Sequence, residues 1–226
     1  MRDPGAAIVV LGAGSGSRVG AGVNKVLLPL GDRPVLAHAL IAALEVSSTV
    51  VLVVRDGEQE AVSTAIVPHL APADEVLMVP GGSTRHESEQ AALTVLAPRV
   101  AAGEVDVVAI HDGARPLASP TVYAEVLAAA RTHGGAIPVA PLTGLLRLDG
   151  TAVPPGLAGV QTPQAFRADV LLDAYARAAE DGFEGTDTAS CLERYHPEVR
   201  IAAVSSTPRN LKITYPADVG AASALL

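Results

Sequence analysis

The sequence has little cysteine, few aromatic residues and no long uninterrupted apolar run. Its single cysteine, Cys191, excludes an intrachain disulfide, and we expect it to be a buried apolar residue rather than a nucleophile. Aromatic residues make up 3% of the chain, so alanine, valine and leucine must form the core. No apolar stretch reaches the roughly 18 residues that a membrane-spanning helix needs, and residues 1–4 do not resemble a signal peptide. These absences predict a cytoplasmic protein with no membrane partner.

Basic residues are scarce as well. The chain has 16 lysine and arginine residues against 24 aspartate and glutamate residues, which gives a net charge of −8. This balance argues against a nucleic-acid polymer as partner, because tracking a phosphate backbone requires a basic stripe. It remains compatible with one nucleotide held by a few local cations. The length of 226 residues predicts a single domain over residues 1–226.

Strand-like and helix-like segments alternate along the chain. Strands are predicted at residues 6–11, 50–54, 76–79, 105–111, 136–139 and 199–204. Helices are predicted at residues 34–45, 59–70, 84–96, 120–133, 168–180, 188–195 and 216–224. Thr84 with Glu87 forms a capping-box signal, and Ser119 and Gly134 bound the fourth helix. The alternation predicts an α/β, Rossmann-like fold with a mainly parallel sheet and helices on both faces.

Residues 140–161, here called the arm, interrupt this alternation with Pro141, Pro154, Pro155 and four glycines. The dipeptide Asp149-Gly150 is a type I′ hairpin signal, which predicts that residues 145–148 pair with residues 158–160. We therefore expect a protruding β-arm. Because the apolar face of such an arm cannot be buried alone, we expect it to contact a second subunit in a homodimer.

A glycine-rich loop follows the first predicted strand. It comprises Gly12, Ala13, Gly14, Ser15 and Gly16. Glycine has no Cβ, so backbone N–H groups there can approach a ligand closely, and clustered N–H groups form an anion-binding concavity. Arg18 and Lys25 then add positive charge where a phosphate chain would lie. The sequence thus predicts a nucleoside triphosphate site whose cations stabilise the charge that develops during reaction.

Other interpretations of this loop stay open. A dinucleotide-binding fingerprint would need a third glycine at Ser17, and its acidic ribose partner would have to be Asp32, which lies in a predicted turn. A Walker-type loop needs Gly-Lys-Ser/Thr, whereas the chain has Asn24-Lys25-Val26. An NAD-binding oxidoreductase and a purely structural glycine-rich turn are the alternatives.

Two more polar clusters follow predicted strands. Residues 81–88 include Gly82 and Ser88, and residues 111–116 include Asp112 and Arg115. Ligands of open α/β sheets bind outside the carboxyl ends of the strands. A carboxylate there suits Mg²⁺, which prefers one or two carboxylates plus substrate phosphates, and an arginine can bind phosphate through two hydrogen bonds. Alternatively, Asp112 and Arg115 pair only with each other, His111 is a core histidine, and the two glycines only form a turn.

Six motifs occur in an informative order. They are the loop with Arg18 and Lys25, Gly-Gly followed by arginine and serine at residues 81–88, His-Asp-Gly-Ala-Arg-Pro at residues 111–116, Gln-Thr-Pro-Gln-Ala-Phe at residues 161–166, Thr-Asp-Thr-Ala-Ser at residues 186–190 and Asn-Leu-Lys-Ile-Thr at residues 210–214. This order, over nearly the whole chain, resembles the 2-C-methyl-D-erythritol 4-phosphate cytidylyltransferase family. The resemblance implies attack of the acceptor's phosphate oxygen on the α-phosphate of CTP, with expulsion of pyrophosphate and no covalent nucleophile.

The resemblance also implies roles for individual residues. The backbone around residues 12–16, with Gly82 and Ser88, would hold cytosine and ribose. The cations Arg18 and Lys25 would stabilise the transition state, and Asp112 would hold Mg²⁺. The acceptor phosphate would be placed by Arg115, Thr162 and the catalytic cation Lys212.

The chain departs from the family pattern at the acceptor. In the arm, Gly-Leu-Leu-Arg at residues 144–147 stands where the family has Asp-Thr-x-Lys, so Leu145 replaces a threonine that contacts the acceptor phosphate. Pro154 aligns with the family's arm arginine, which reaches into the partner subunit; Arg147 or Arg167 is a candidate substitute. The first loop reads Leu-Gly-Ala-Gly instead of Pro-Ala-Ala-Gly. A related cytidylyltransferase for another polyol phosphate, such as ribitol 5-phosphate, and an inactive nucleotide-binding protein are the alternatives.

Overall fold

The computed structural model describes residues 2–14 and 24–226. Its strands are β1 (Asp3–Leu11), β2 (Pro29–Leu30), β3 (Arg33–Pro34), β4 (Ser47–Val54), β5 (Val76–Pro80), β6 (Val107–Asp112), β7 (Gly134–Pro141), β8 (Ala158–Val160), β9 (Gln164–Arg167) and β10 (Arg200–Ser205). Its α-helices are α1 (Val35–Val46), α2 (Gln59–Ile66), α3 (Arg85–Ala101), α4 (Pro120–His133), α5 (Ala168–Asp181), α6 (Thr188–Tyr195) and α7 (Pro216–Ser223).

Within the described residues, eight strands form one mixed sheet in the order β10-β7-β9-β6-β1-β4-β5, with β8 also paired to β7. Strands β6, β1, β4 and β5 are parallel to one another, and β10 is parallel to β7. Strand β9 runs antiparallel between β6 and β7. The predicted mainly parallel α/β sheet is confirmed, and four parallel strands end at the same edge.

Side chains along each strand alternate between two helical layers. In β1, Ile8 and Val10 pack with helices α1, α2 and α4, whereas Ala7 and Val9 pack with α3, α5 and α6. Because both faces are covered, β1 is a nearly continuous apolar run and not an alternating one. Cys191 is buried in the second layer, as predicted, and burial raises the pKa of its thiol to about 11.

Local signals set the ends of two helices as predicted. The Thr84 side chain accepts a hydrogen bond from the Glu87 N–H, and Glu87 reciprocates at the backbone of Thr84. Ser119 caps α4 by accepting from the Val122 N–H, and Gly134 ends that helix with a φ of 103°, which favours glycine. Elsewhere the predicted boundaries differ by a few residues, as helix and strand ends usually do.

Strand β9 was not predicted. Residues 164–167 show no period-2 alternation, and their position is fixed by tertiary contacts: Ala165 and Phe166 are fully buried between β6 and β7. The sequence placed this segment only as a motif preceding α5.

The predicted pairing inside the arm is wrong. Residues 158–160 pair with Val139, Ala140 and Pro141 of β7, while Leu146 forms a single antiparallel bridge with Ala152. Antiparallel partners lie at equal distances from the turn. A turn near residues 149–150 therefore places Ala152 opposite Leu146 and leaves residues 158–160 for β7. The arm presents Leu145, Leu146 and Leu148 to solvent, with exposed fractions of 42%, 67% and 110%.

Helix α7 covers the small hairpin of β2 and β3, where Leu30 and Val35 pack with Ile213 and Ala222. Among the helices in the described ranges, none combines the length and the apolar character that crossing a bilayer requires.

Candidate active site

A cavity of about 510 Å³ opens at the edge where β1, β4, β5 and β6 end. The sequence-predicted residues that line it are Ala13, Gly14, Lys25, Gly82, Ser88, Asp112 and Lys212. Gly12, Arg115 and Thr162 touch or adjoin lining residues without lining the cavity themselves. Ser15, Gly16 and Arg18 lie outside the described residues.

The described wall of the cavity is rich in cations. The chain has only two lysines, Lys25 and Lys212, and both line the cavity together with Arg55 and Arg85. Among the described lining residues, Asp112 is the one carboxylate. In a protein whose net charge is −8, this local excess of positive charge marks the cavity as a site for a polyanion.

Asp112, the last residue of β6, contacts three of the chain's cations. Arg85 Nη1 donates to its Oδ1, Lys212 Nζ lies 2.7 Å from its Oδ2, and Arg115 Nε lies 3.7 Å from Oδ2. Burial alone would raise the pKa of Asp112, but the charges of Arg85 and Lys212 hold it well below its usual range. The carboxylate is therefore ionised at neutral pH and is not paired with Arg115 alone.

A buried chain of polar groups supports Asp112 from behind. The Asp112 N–H donates to Thr162 Oγ1 at 3.0 Å, and Thr162 Oγ1 lies 3.1 Å from His111 Nδ1. The other ring nitrogen, Nε2, lies 3.1 Å from the Arg115 carbonyl oxygen. His111 is fully buried, and burial lowers its pKa to about 4. It has the contacts of a satisfied core histidine, as one interpretation of the sequence predicted.

Arg115 is anchored rather than open to the cavity. Its Nη1 donates to the Asn210 carbonyl oxygen at 2.6 Å, and burial lowers its pKa. Asn210 in turn donates through Nδ2 to Gln161 Oε1 at 3.1 Å and to the Thr162 carbonyl oxygen at 2.9 Å. These bonds hold the segment that carries Lys212 against the one that carries Thr162.

The fifth motif joins the same edge. Gln164 Nε2 donates to Asp187 Oδ2 at 3.1 Å, and the Ala189 N–H donates to Gln164 Oε1 at 3.2 Å. These two hydrogen bonds connect the fourth motif, which also contains Thr162, to the fifth.

A separate set of hydrogen bonds, here called the clamp, joins Gly12 of the glycine-rich loop to Asn24 directly and Gly14 to Asn24 through Arg55 and Glu58. Asn24 donates through Nδ2 to the Gly12 carbonyl oxygen at 3.1 Å and to Glu58 Oε2 at 2.9 Å. Glu58 Oε1 accepts from Arg55 Nη1 at 2.9 Å, and Arg55 Nη2 donates to the Gly14 carbonyl oxygen at 3.3 Å. Asn24 also caps the short 3₁₀ helix, Lys25–Leu27, by accepting from the Val26 N–H. The clamp thereby fixes the backbone that carries Lys25.

Gly82 lies where no side chain fits. A Cβ on Gly82 would come within 2.2 Å of Glu87 Cβ, so the turn before α3 requires glycine. Ser88, 4% exposed, donates through its hydroxyl to the Thr84 carbonyl oxygen at 2.9 Å. Both residues line the cavity beside Ser83 and Thr84.

Sequence reasoning missed two cations of the wall. Arg55 directly follows β4, so the rule that selected residues after strand ends would have found it. Arg85 belongs to the motif at residues 81–88, but the motif alone predicts no role for it. Its ion pair with Asp112 joins residues from two strand ends, and nothing in the linear sequence indicates that contact.

The donor set fits a divalent cation held together with substrate phosphates. Asp112 supplies one carboxylate in the wall, which is the kind of ligand Mg²⁺ takes when phosphates complete its shell. In the described ranges, no three or more histidine, cysteine, aspartate or glutamate side chains are grouped to hold a metal by themselves. Asp112 stays a predicted ligand that acts only jointly with a nucleotide.

We expect Asp112→Asn to lower the Mg²⁺-dependent activity about 10- to 100-fold while the protein stays folded. The amide keeps the shape but loses charged contacts, each worth about 1.5–3 kcal/mol. The measurement is initial rate against Mg²⁺ concentration, with circular dichroism to check folding. Asp106→Asn, just before β6 at the opposite edge, is the matched control. An unchanged Mg²⁺ dependence in Asp112→Asn would remove the metal role.

We expect Glu58→Ala to lower stability by about 1–2 kcal/mol, because it removes a charged partner from both Arg55 and Asn24. For a chain of this size that is a Tm lower by about 2–8 °C. The half-saturating nucleotide concentration should rise in parallel, because Lys25 loses its support. Glu60→Ala, on the exposed face of α2, controls for the loss of one surface carboxylate. A Tm equal to that of the control would show that the clamp contributes nothing.

Comparison with known proteins agrees with this geometry. The sequence model of the 2-C-methyl-D-erythritol 4-phosphate cytidylyltransferase family matches residues 6–226. Proteins of that name from Pelotomaculum thermopropionicum and Symbiobacterium thermophilum are 36% and 37% identical to the chain over 230 and 226 residues. These alignments cover 97% of the chain in both cases, and 93% and 92% of the two relatives.

Solved structures show the same fold. The 2-C-methyl-D-erythritol 4-phosphate cytidylyltransferase from Thermus thermophilus is similar, with a TM-score of 0.75 and 28% identity over 97% of both chains. The 4-diphosphocytidyl-2C-methyl-D-erythritol synthase from Anaerococcus prevotii has a TM-score of 0.79 over 97% of this chain and 96% of its own, and its 24% identity supports the fold alone.

The family match covers all six motifs that carried the resemblance. Described residues of four of these motifs line the cavity, and the other two are joined to it through the hydrogen bonds of Thr162 and Gln164. An NAD-binding oxidoreductase, the outside alternative, does not agree with this match. The chain belongs to the 2-C-methyl-D-erythritol 4-phosphate cytidylyltransferase family, whose members are CTP-dependent nucleotidyltransferases.

Proposed function

We propose that this chain transfers CMP from CTP to 2-C-methyl-D-erythritol 4-phosphate and releases pyrophosphate, a step in isoprenoid precursor synthesis. The observation that carries the proposal is the cation-rich cavity, whose described wall contains both lysines, two arginines and one carboxylate. The relatives that are named for this activity align with the chain over 93% and 92% of their own length. We expect the reaction to take place in the cytoplasm.

In the proposed reaction, an oxygen of the acceptor's phosphate attacks the α-phosphorus of CTP in line with the departing pyrophosphate. The new P–O bond forms as the bond to the β-phosphate's bridging oxygen breaks, and the electron pair leaves with pyrophosphate. Such a transfer needs positioning and charge stabilisation and no covalent nucleophile. Lys25 and Lys212, which line the cavity, are proposed to stabilise this charge. Arg18, outside the described residues, is proposed to join them.

The remaining predicted residues take supporting parts in the proposal. Backbone at residues 12–16, with Gly82 and Ser88, would hold the nucleoside. Asp112 would hold Mg²⁺, which would supply positive charge that neutralises part of the triphosphate. Arg115 and Thr162 stay proposed for the acceptor phosphate; in the described state their polar groups are engaged by Asn210 and by His111 with Asp112.

The arm is proposed to contact a second subunit. Its exposed leucines favour this, because an apolar surface of this kind is normally covered. Of the two candidate substitutes for the family's arm arginine, Arg147 lies in the arm. Arg167 lies opposite Val107, at the other edge of the sheet from Asp112, and its guanidinium pairs with Asp169 at 2.8 Å. Arg147 is therefore the better-placed candidate.

A second candidate is a cytidylyltransferase for another polyol phosphate, such as ribitol 5-phosphate. It is favoured by one observation: Leu145 and Pro154, both exposed in the arm, offer an acceptor phosphate neither a hydroxyl nor a charge.

Pyrophosphate release tests the proposal. The protein is incubated with Mg²⁺, each of the four common nucleoside triphosphates, and 2-C-methyl-D-erythritol 4-phosphate, ribitol 5-phosphate or no acceptor. We expect release with CTP and the methylerythritol phosphate. Release with ribitol 5-phosphate alone would establish the second candidate. CTP-dependent thermal stabilisation without release from any acceptor would indicate a nucleotide-binding protein that has lost catalysis.

A further inference from the structure

Glu89 is a buried carboxylate to which the proposed reaction assigns no part. It lies on α3 one turn after Arg85, and its side chain is 1% exposed. Burying a charge is costly unless it is paired and hydrogen-bonded. A carboxylate buried beside the cavity must therefore be stabilised by an opposite charge and by hydrogen-bond donors.

Three groups converge on Glu89. Arg85 Nε lies 2.8 Å from its Oε1, an ion pair at the i, i+4 spacing of a helix. The Thr188 hydroxyl donates to Oε1 at 3.1 Å, and the Tyr175 hydroxyl donates to Oε2. Thr188 belongs to α6 and Tyr175 to α5, so three helices fix the carboxylate. Burial raises the pKa of Glu89, and the charge of Arg85 opposes that rise.

Arg85 connects Glu89 to the cavity. While Nε lies at ion-pair distance from Glu89, Nη1 of the same guanidinium donates to Asp112 Oδ1, and Arg85 lines the cavity. A guanidinium is planar and rigid, so fixing one edge sets the direction of the other. Glu89 also supplies Arg85 with a counter-charge on the core side, so that Asp112 is not its sole partner.

We propose that Glu89 is a positioning residue that acts through Arg85: it fixes the guanidinium in the cavity wall, where Arg85 holds Asp112 and faces the triphosphate. This inference rests on the proposed function, because it assigns the cavity to CTP. It predicts that Glu89 matters for nucleotide use only while Arg85 is present.

A double-mutant cycle tests this dependence. Glu89→Gln keeps the size of the side chain but removes its charge and replaces one of its two accepting oxygens with a donating NH₂ group. We expect it to lower kcat/KM for CTP about 10- to 100-fold in the wild-type background, the range for losing a contact to a charged group. In the Arg85→Gln background we expect the same change to cost less than about threefold, because the residue through which Glu89 acts is already missing. Tm is measured for all four proteins, and rates are taken where all are folded.

Two further variants keep the test decisive. Glu193→Gln, an exposed glutamate on α6, removes the same charge away from Arg85 and should leave kcat and KM unchanged. Thr188→Val removes one donor to Glu89 while both charges stay. If Glu89→Gln does not fold, Thr188→Val is taken through the same cycle, with an expected loss of about threefold to tenfold that also disappears in the Arg85→Gln background.

Different outcomes would overturn the positioning role of Glu89 and the proposed function. Equal losses in both backgrounds, or a lower Tm with kcat and KM unchanged, would overturn the positioning role and leave the proposed function standing. If the wild-type protein releases no pyrophosphate from any acceptor, the proposed function fails. The cycle is then measured as the dissociation constant for CTP, and the same dependence on Arg85 decides whether Glu89 positions it.

Discussion

Lys25→Ala is expected to lower turnover about 10²- to 10³-fold, the usual loss when one group that stabilises transition-state charge is removed. Lys25 lines the cavity at the start of a short helix whose backbone is fixed by Asn24. A compact ammonium at this position can stabilise the negative charge that develops on the departing pyrophosphate. Because that charge grows only as the bond breaks, kcat should fall much more than the affinity for CTP.

The measurement is steady-state kcat and KM for CTP, supported by CTP binding at equilibrium. Arg99→Ala, which removes an exposed cation of α3 that is paired with Glu104, is the control for loss of one positive charge. Lys25→Arg tests whether charge alone is enough. Near-normal turnover in Lys25→Ala would show that the residue is only a cation of the cavity rim.

Acceptor use is expected to be poor in the unmodified protein. A phosphate dianion is held best by charge-assisted hydrogen bonds. Leu145 offers none, and Pro154 has neither a cationic side chain nor a backbone N–H. Each missing contact to a charged group costs about 1.5–3 kcal/mol. Two of them weaken acceptor use by about two to four powers of ten relative to a family member that has the threonine and the arginine. CTP binding should be ordinary.

The double variant Leu145→Thr with Pro154→Arg should improve the apparent affinity for 2-C-methyl-D-erythritol 4-phosphate at least about tenfold. The arm offers matched controls one to three residues away: Pro155→Arg adds the same cation, and Leu148→Thr adds the same hydroxyl at a fully exposed position. The measurement is the acceptor KM at saturating CTP. A micromolar acceptor KM in the unmodified protein would contradict this prediction and leave Arg115, Lys212 or Arg147 to hold the phosphate.

Much of the fold was predictable because local chemistry and tertiary packing agree. Thr84, Ser119 and Gly134 each satisfy a helix end with their own side chain or backbone, so the sequence predicts α3 and α4 without reference to distant residues. Strand β9, in contrast, depends on distant residues. Its four residues pair with β6 on one side and β7 on the other, and only these tertiary contacts make them a strand. The predicted pairing within the arm was wrong for a geometric reason, because the position of the turn determines which residues can lie opposite each other.

The candidate site likewise contains residues that the sequence could predict and residues that it could not. Asp112, at the end of β6, and Gly82, just after β5, could be predicted to lie together because the parallel sheet brings those strand ends to one edge. Glu89 was missed because a glutamate in a helix is usually solvated, and its burial depends on hydroxyls from two other helices. Arg115 and Thr162 were predicted as ligand contacts, a role that remains a prediction; the structure describes them as supports of the wall.

The buried contacts of His111 also determine where its proton resides. The Arg115 carbonyl oxygen can only accept a hydrogen bond, so His111 Nε2 carries the hydrogen that is donated to it. Because burial lowers the pKa of His111 to about 4, the ring is neutral and Nδ1 carries the lone pair. Thr162 Oγ1, which accepts the Asp112 N–H, therefore donates its own hydrogen to Nδ1. Every hydrogen bond in this chain runs in one direction, from the backbone of Asp112 to that of Arg115. The imidazole is therefore a single neutral tautomer, a fixed dipole behind the cavity whose orientation does not change with pH near neutrality.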